Sequence, residues 1–417
     1  MKTLAIIAEY NPFHNGHLYH LNKAKELTGS THSVAIMSGS FLQRGLPAMW
    51  DKYTRSKMAT TAGIDLVLEL PFVYATGSAK DFSTGAVSIL DKLQSIDYLC
   101  FGAETDDIEL LSSIAEIINE EPKSYKDQLT LALASGVSFP YARTIALNKY
   151  FEADDNNVSD IINQPNNILA IEYLAALKRI NSNIEPILIK RNHAMYHDTT
   201  MYGSISSASA IRAGIQSEDF NLSHITSEIP MCIHEIIAQS YLSSWPITED
   251  ELTPFLQSKL INPLNYNEVC DISEDLANKL NKLYPVTNYQ DAIKALSSKD
   301  LTTTRINRSI IHLLLEYKEL HRKEFIDNSY GLYANILSFR KDSSQLIKAI
   351  NQQTLIPLIT KKADFEKYLS GYINLDYKVA KTMWNYDTKA TNLYNCMVYN
   401  RYGTILPNDY NIQLPII

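Results

Sequence analysis

Short, wholly apolar runs alternate with stretches of helical periodicity through the first half of the chain. Residues 4–8, 33–37, 66–70 and 98–102 are apolar almost without interruption, the pattern of strands buried on both faces. Between them, residues 18–27 and 52–62 carry apolar positions at helical spacing. Strand, helix, strand with both strand faces apolar predicts a parallel sheet covered on each side. Residues 185–190 read as a further strand after a helix at 169–179. Beyond about residue 215 the strand signal fades, and helices are predicted at 233–243, 273–283, 304–317 and 344–351. The stretch from Trp245-Pro246 to Pro254 reads as a linker. The expected fold is therefore α/β: an N-terminal Rossmann-like domain with a parallel sheet over 1–225, and a mainly helical domain over 226–417.

Composition narrows the class. At 417 residues, 45% hydrophobic and 20% charged, the chain is globular and long enough for two domains. No apolar run approaches the roughly 18 residues of a membrane span. The first apolar run is broken by Glu9, which reads as a strand rather than a signal peptide. Cys100, Cys232, Cys270 and Cys396 are far apart, which fits a reducing cytoplasm better than a disulfide or zinc framework. The net charge of −8 is unevenly spread: residues 301–417 carry 15 Lys+Arg against 10 Asp+Glu, and residues 1–300 carry 23 against 36. A basic end on an acidic body is compatible with a polyanionic partner and equally with an ordinary solvated helical surface.

The chemistry concentrates directly after the first strand, in Ile7, Ala8, Glu9, Tyr10, Asn11, Pro12, Phe13, His14, Asn15, Gly16, His17, Leu18, Tyr19 and His20. A loop that leaves a parallel strand and opens a helix lies at the ligand edge of the sheet. The helix beginning near Leu18 offers backbone N–H groups to an anion, and Gly16 permits close approach. His14 and His17, three residues apart, can face one phosphate group and stabilise charge in a transition state. Zinc ligation is a competing use, although helical zinc pairs favour a spacing of four and a third ligand. Downstream, Ser206 and Ser207 precede a helix carrying Arg212, a fork-shaped cation suited to phosphate oxygens. A plain N-cap is the other reading of that segment.

The HxGH arrangement resembles the signature of the nucleotidyltransferase superfamily, and the segment Ile205-Ser206-Ser207 to Ile211-Arg212 looks like its ISSxxIR element. Further pieces occur in order: Ser38-Gly39-Ser40 to Gln43-Arg44-Gly45, Phe101-Gly102-Ala103-Glu104, Gln164-Pro165-Asn166-Asn167, Lys190-Arg191, and Thr304-Arg305 to Arg308. Together they resemble the bacterial tRNA(Met) cytidine acetate ligases over nearly the whole chain. The resemblance implies an enzyme that activates acetate with ATP as acetyl-adenylate and passes the acetyl group to N4 of the wobble cytidine of elongator tRNA(Met). It implies catalytic roles for His14, His17 and Arg212, and ATP contacts along Ile7 to His20 and at Gly102, Asn167, Arg191, Ser206 and Ser207. Mg²⁺ is expected from ATP chemistry. Gln43 and Arg44 are expected near acetate or tRNA, and Arg305, Arg308, Arg340 and Lys341 are candidate tRNA contacts. This chain departs from the family in Lys299-Asp300-Leu301 and Ala170, which bears on tRNA docking and leaves the ATP motif intact. The alternatives are a metabolite adenylyltransferase and a nucleotide-dependent RNA-binding protein without turnover.

Overall fold

The computed structural model describes residues 1–151, 158–191, 207–217, 219–261, 265–298 and 301–417. Seven strands form one sheet: β1 (Thr3–Ala8), β2 (His32–Ser38), β3 (Leu66–Leu70), β4 (Tyr98–Ala103), β5 (Glu185–Lys190), β6 (Ala334–Phe339) and β7 (Leu358–Ile359), in the order β5-β4-β1-β2-β3-β6-β7. The first five run parallel, with Thr3 opposite His32 and Leu4 opposite both Ser33 and Tyr98. Successive side chains of a strand point to opposite faces, and the core divides accordingly. Ala5, Val34, Ile36, Leu68 and Leu99 enter one apolar cluster, and Leu4, Ile6, Ala35, Met37 and Cys100 enter the other. The helices α1 (Asn15–Thr28) and α2 (Lys52–Thr61) contribute to the second cluster. The helices Ala79–Lys92 and Pro165–Arg179 contribute to the first.

The chain steps from β1 outward to β2 and β3, then returns to place β4 on the other side of β1. That reversal opens a crevice beyond the carboxyl ends of β1 and β4, the place where such sheets bind ligands. The loop after Ala8 and the loop after Ala103 form its two lips.

Two strands occur in the part of the chain that the sequence pattern predicts to be mainly helical. β6 pairs antiparallel with β3, Leu66 opposite Phe339 and Glu69 opposite Asn335, and β7 extends the sheet beyond it. The run from Leu332 to Leu337 is buried throughout, so it has no alternating pattern to mark it. The sheet thus continues across the 225/226 boundary. The expected linker at 245–254 is instead core: Trp245 is fully buried with its ring 4.4 Å from that of Trp50, and Ile247 N–H donates to the Met49 carbonyl at 3.1 Å. A Trp-Pro dipeptide marks a turn but does not say whether the aromatic is exposed. Among the described residues, no helix is long and apolar enough to cross a membrane, and all four cysteines are free.

Candidate active site

The lip after β1 is built by two histidines that cap the helix they begin. His14 is the extended N-cap residue of α1 (φ −137°, ψ 173°). Its Nδ1 accepts from Gly16 N–H at 3.1 Å, while His17 Nδ1 accepts from His14 N–H at 3.3 Å. The two rings stack, centroids 3.8 Å apart. A capping box normally uses a hydroxyl and a carboxylate for these reciprocal bonds; here imidazoles do it. The expectation that α1 offers free N–H groups to an anion is corrected by this. Gly16 N–H goes to His14, and Asn15 N–H goes to the Glu228 carbonyl at 3.0 Å. The helix end is already capped, and the donors left for a ligand belong to the rings.

Those caps also decide where the ring protons sit. A neutral imidazole whose Nδ1 accepts carries its proton on Nε2. Burial, reinforced by the Arg191 guanidinium, pulls the His14 pKa down to about 3. His17 lies well below the usual histidine range, through loss of hydration and then through His14 and Arg191. His20 falls to about 4 for the same first reason, with Arg191 adding to it. All three are neutral at pH 7, and His14 and His17 each hold an Nε2–H outward from a bonded Nδ1. Behind them, Tyr10 (φ 47°) and Phe13 are buried and pack on the His17 ring at 4.9 and 5.5 Å.

A residue that the sequence reading missed holds this lip in register. Arg55 of α2 is fully buried, and its guanidinium donates to three carbonyls: Glu9 at 2.6 Å, Trp50 at 3.0 Å, and Gly39 at the end of β2. It thereby joins the loop after β1 to the loop after β2. Glu9 accepts from Gln43 N–H at 2.8 Å, and Asn11 accepts from Met49 N–H at 2.9 Å. Asn15 donates its amide to the Ser227 carbonyl at 2.8 Å. In a sequence Arg55 is one basic residue in an amphipathic helix, and only the fold turns it inward.

Arg212 reaches the same lip from the helix Ala208–Ile215, donating to the Asn11 carbonyl at 2.8 Å and to Ser209 Oγ at 3.2 Å. Ser207 is the N-cap of that helix, accepting from Ala210 N–H at 3.1 Å. Ser206 lies outside the described residues. On the opposite lip, Gly102 leaves room for Arg191: a Cβ at Gly102 would stand 3.3 Å from Arg191 Cγ. Arg191 Nη1 donates to Asn166 Oδ1 at 3.2 Å.

Asn167 is fully buried and saturated. Its Oδ1 accepts from Glu104 and Thr105 N–H, and its amide donates to the Ile161 carbonyl and to Gln164 Oε1. Glu104 places its carboxylate on the N–H groups of Asn166 and Asn167, at 3.2 and 2.8 Å, where a helix N-terminus favours negative charge. Asn167 therefore acts here on the loop after β4 rather than facing the crevice. Ile7 and Ala8 end β1, and Leu18, Tyr19 and His20 lie partly exposed along the first turns of α1.

The distal basic residues separate. Arg308 is partly buried, 3.4 Å from Asp271, at the point where helix Thr303–Leu315 meets the loop after β2. Arg305 lies one turn earlier. Arg340 and Lys341 follow β6, which is antiparallel to β3, and so stand at the edge of the sheet away from the histidines. Arg340 is paired with Asp342 at 2.7 Å. Among the described residues, Cys270, Asp271 and His312 come within metal-ligand distance of one another. The His312 Nε2 is engaged with Thr76 Oγ1 at 3.0 Å, and its Nδ1 faces the Cys270 carbonyl at 3.3 Å.

A crevice with two neutral imidazole donors, a capped helix and arginines on both lips is built to receive a polyphosphate and stabilise charge as it redistributes. The chain is similar along its whole length to known proteins. The family model described as HIGH Nucleotidyl Transferase matches residues 1–405. A tRNA(Met) cytidine acetate ligase from Thermoanaerobacter sp. (strain X514) is 40% identical over 402 residues, 96% of each chain. The crystal structure of Thermotoga maritima TmcAL bound with alpha-thio ATP superposes with a TM-score of 0.91 at 30% identity, covering 100% of this chain and 99% of that one. The apo form of TmcAL from the same organism gives a TM-score of 0.92 at 32% identity, covering both chains completely. The chain belongs to the HIGH nucleotidyl transferase family and, within it, to the tRNA(Met) cytidine acetate ligases.

Proposed function

We propose that this chain is an ATP-dependent ligase that activates acetate as acetyl-adenylate and transfers the acetyl group to N4 of the wobble cytidine of elongator tRNA(Met), in the cytoplasm. The observation that carries the reading is the stacked His14–His17 pair beside Arg212, in a chain alike along its whole length to acetate ligases. An acetate oxygen attacks the α-phosphorus of ATP, the bond to the bridging oxygen breaks, and pyrophosphate leaves with the electron pair. The Nε2–H groups of His14 and His17 donate to phosphate oxygens, and Arg212 neutralises them from the same lip. The cytidine amine then attacks the acetyl carbon, AMP departs, and the nitrogen loses its proton. Arg191, held by Asn166 and seated over Gly102, supplies the positive charge of the opposite lip.

Mg²⁺ fits this site as a companion of the triphosphate. Among the described residues no carboxylate cluster faces the crevice: Glu9 accepts from Gln43, and Glu104 from Asn166 and Asn167. Its ligands would be phosphate oxygens and water, with no dedicated protein cage.

The test is incubation with ATP, labelled acetate and bulk bacterial tRNA, followed by nucleoside analysis. Label in N4-acetylcytidine, lost in His14→Ala and His17→Ala, is expected. Pyrophosphate release without labelled tRNA would move the acceptor elsewhere, as the adenylyltransferase alternative requires.

A further inference from the structure

The loop after β2 carries an arginine that the proposed chemistry has not yet used. Leu42 N–H donates to the Leu46 carbonyl at 2.9 Å and Gly45 N–H to the Leu42 carbonyl at 2.8 Å, closing a tight turn between Phe41 and Pro47. Three outside contacts fix that turn. Gln43 N–H is held by the Glu9 carboxylate at 2.8 Å, and the Gln43 amide donates to the Gly77 carbonyl at 3.4 Å. Gly45 (φ 75°) lies so close to helix Thr303–Leu315 that a methyl group there would overlap the backbone of Asn307 and Arg308.

On this rigid support Arg44 is exposed, and no hydrogen bond or ion pair to a described residue holds its guanidinium. Glu9, the acid beside it, is committed to Gln43. Arg44 also sits near enough to Arg212 to push that guanidinium's pKa down, behind the larger effect of burial and against the pull of Glu9. The turn that carries Arg44 is tied through Glu9, and Arg212 through Asn11, to the same loop after β1, and two guanidinium groups so placed repel each other unless an anion lies between them. Arg212 in turn is bonded to the carbonyl of Asn11, three residues before His14.

We infer that Arg44 is a further catalytic residue: it binds the β- and γ-phosphates of ATP opposite Arg212 and receives the charge of the departing pyrophosphate. This rests on the proposed ATP chemistry. In that step the acetate oxygen forms its bond to the α-phosphorus while the bond to the bridging oxygen breaks. The extra negative charge appears on that oxygen, next to both guanidinium groups, and no proton transfer is required. Because a tRNA backbone offers the same phosphate chemistry, the test must separate the two sources.

The experiment is calorimetric binding of ATP, pyrophosphate and AMP to the wild-type chain and to Arg44→Ala, Arg44→Lys and His14→Ala, with tRNA absent, followed by steady-state acetylation. Loss of a charge-assisted phosphate contact is expected to weaken ATP and pyrophosphate about 10- to 100-fold and leave AMP unchanged. Arg44→Lys recovers only part, because an ammonium lacks the planar fork. Thermal unfolding of Arg44→Ala is expected to match wild type, since the side chain is exposed; should it shift, the Lys variant carries the comparison. Unchanged ATP and pyrophosphate binding with a raised KM for tRNA would overturn the inference in favour of a tRNA contact. Equal weakening of AMP would overturn it as well. If His14→Ala weakens ATP and Arg44→Ala does not, this inference alone falls; if neither does, the ATP reading falls with it.

Discussion

At the residue scale, His14 and His17 each do two things with two nitrogens. Nδ1 satisfies the backbone at the head of α1, and in the proposed reaction Nε2–H donates to the substrate. The two roles can be separated. Asparagine is a strong N-cap and can accept from Gly16 N–H, so His14→Asn is expected to keep the unfolding midpoint near wild type. His14→Ala should lose about 1 kcal/mol of stability. Both should lose acetyl transfer by roughly 10²- to 10³-fold, the scale for deleting one transition-state donor. If His14→Asn retained wild-type turnover, the ring would be only a cap.

The same residues give a pH signature. The folded pKa of His14 is about 3 and that of His20 about 4, both below the unfolded value near 6.5. Between those limits the unfolded chain binds more protons than the folded one. The stability from these neutral rings is therefore complete above pH ~6.5 and declines as pH falls toward 4 and then 3. Urea unfolding across pH 7 to 4 should show this loss, with a shallower slope in His14→Asn. An equal slope in both chains would count against a buried neutral His14.

At the element scale, the site depends on how two loops are tied. Arg55 bonds carbonyls on the loops after β1 and β2 from inside α2. Arg55→Met leaves those buried carbonyls without donors, at about 1–3 kcal/mol each, and should lower the unfolding midpoint sharply. Arg55→Lys keeps the charge but not the fork. It is expected to fold and to raise the KM for ATP more than it lowers kcat, because it displaces the lip without removing a reacting group. A Lys variant with wild-type ATP kinetics would show that one bonded carbonyl suffices.

At the scale of the whole molecule, the distal chain closes the sheet that the proximal chain begins. β6 lies against β3, and Asp409 sits in a buried cluster: Lys52 bonds Glu69 at 2.8 Å and Asp409 at 3.0 Å, and Tyr53 donates to Asp409 at 2.6 Å. Lys362 bonds Tyr53 and Asp409 as well. Burial alone would raise the Asp409 pKa, but Lys52 and Lys362 outweigh it and hold the carboxyl well below its usual range. That contribution is present above pH ~4 and is lost as the carboxylate protonates in acid. Removing one charge from a buried set strands the others, so Asp409→Asn should cost about 3–5 kcal/mol. Chemical unfolding at pH 7 measures it, and a loss below about 1 kcal/mol would mean that water or Glu69 compensates.

The five parallel strands, the HxGH lip and the arginine after the serine-rich segment were legible from the linear pattern, because continuous apolar runs and a loop between strand and helix are local properties. Long-range partners were not. Nothing local marks Arg55 as turned inward, Glu104 as the anion at a helix start sixty residues on, or Trp245 as core. The run at 334–339 is a strand only because β3 presents an open edge to it, and the helix head at His14 is closed to anions only because the rings fold back on it and Glu228 comes over Asn15. The order of residues along the chain sets which chemical groups stand at the end of the first strand: two imidazoles three positions apart, with arginines later in the chain. The tertiary structure decided which groups of that lip are already taken, since Arg55, Glu228 and Arg212 reach it from distant parts of the chain, while the nitrogen engaged on each imidazole follows from how residues 14–17 fold back to cap the helix.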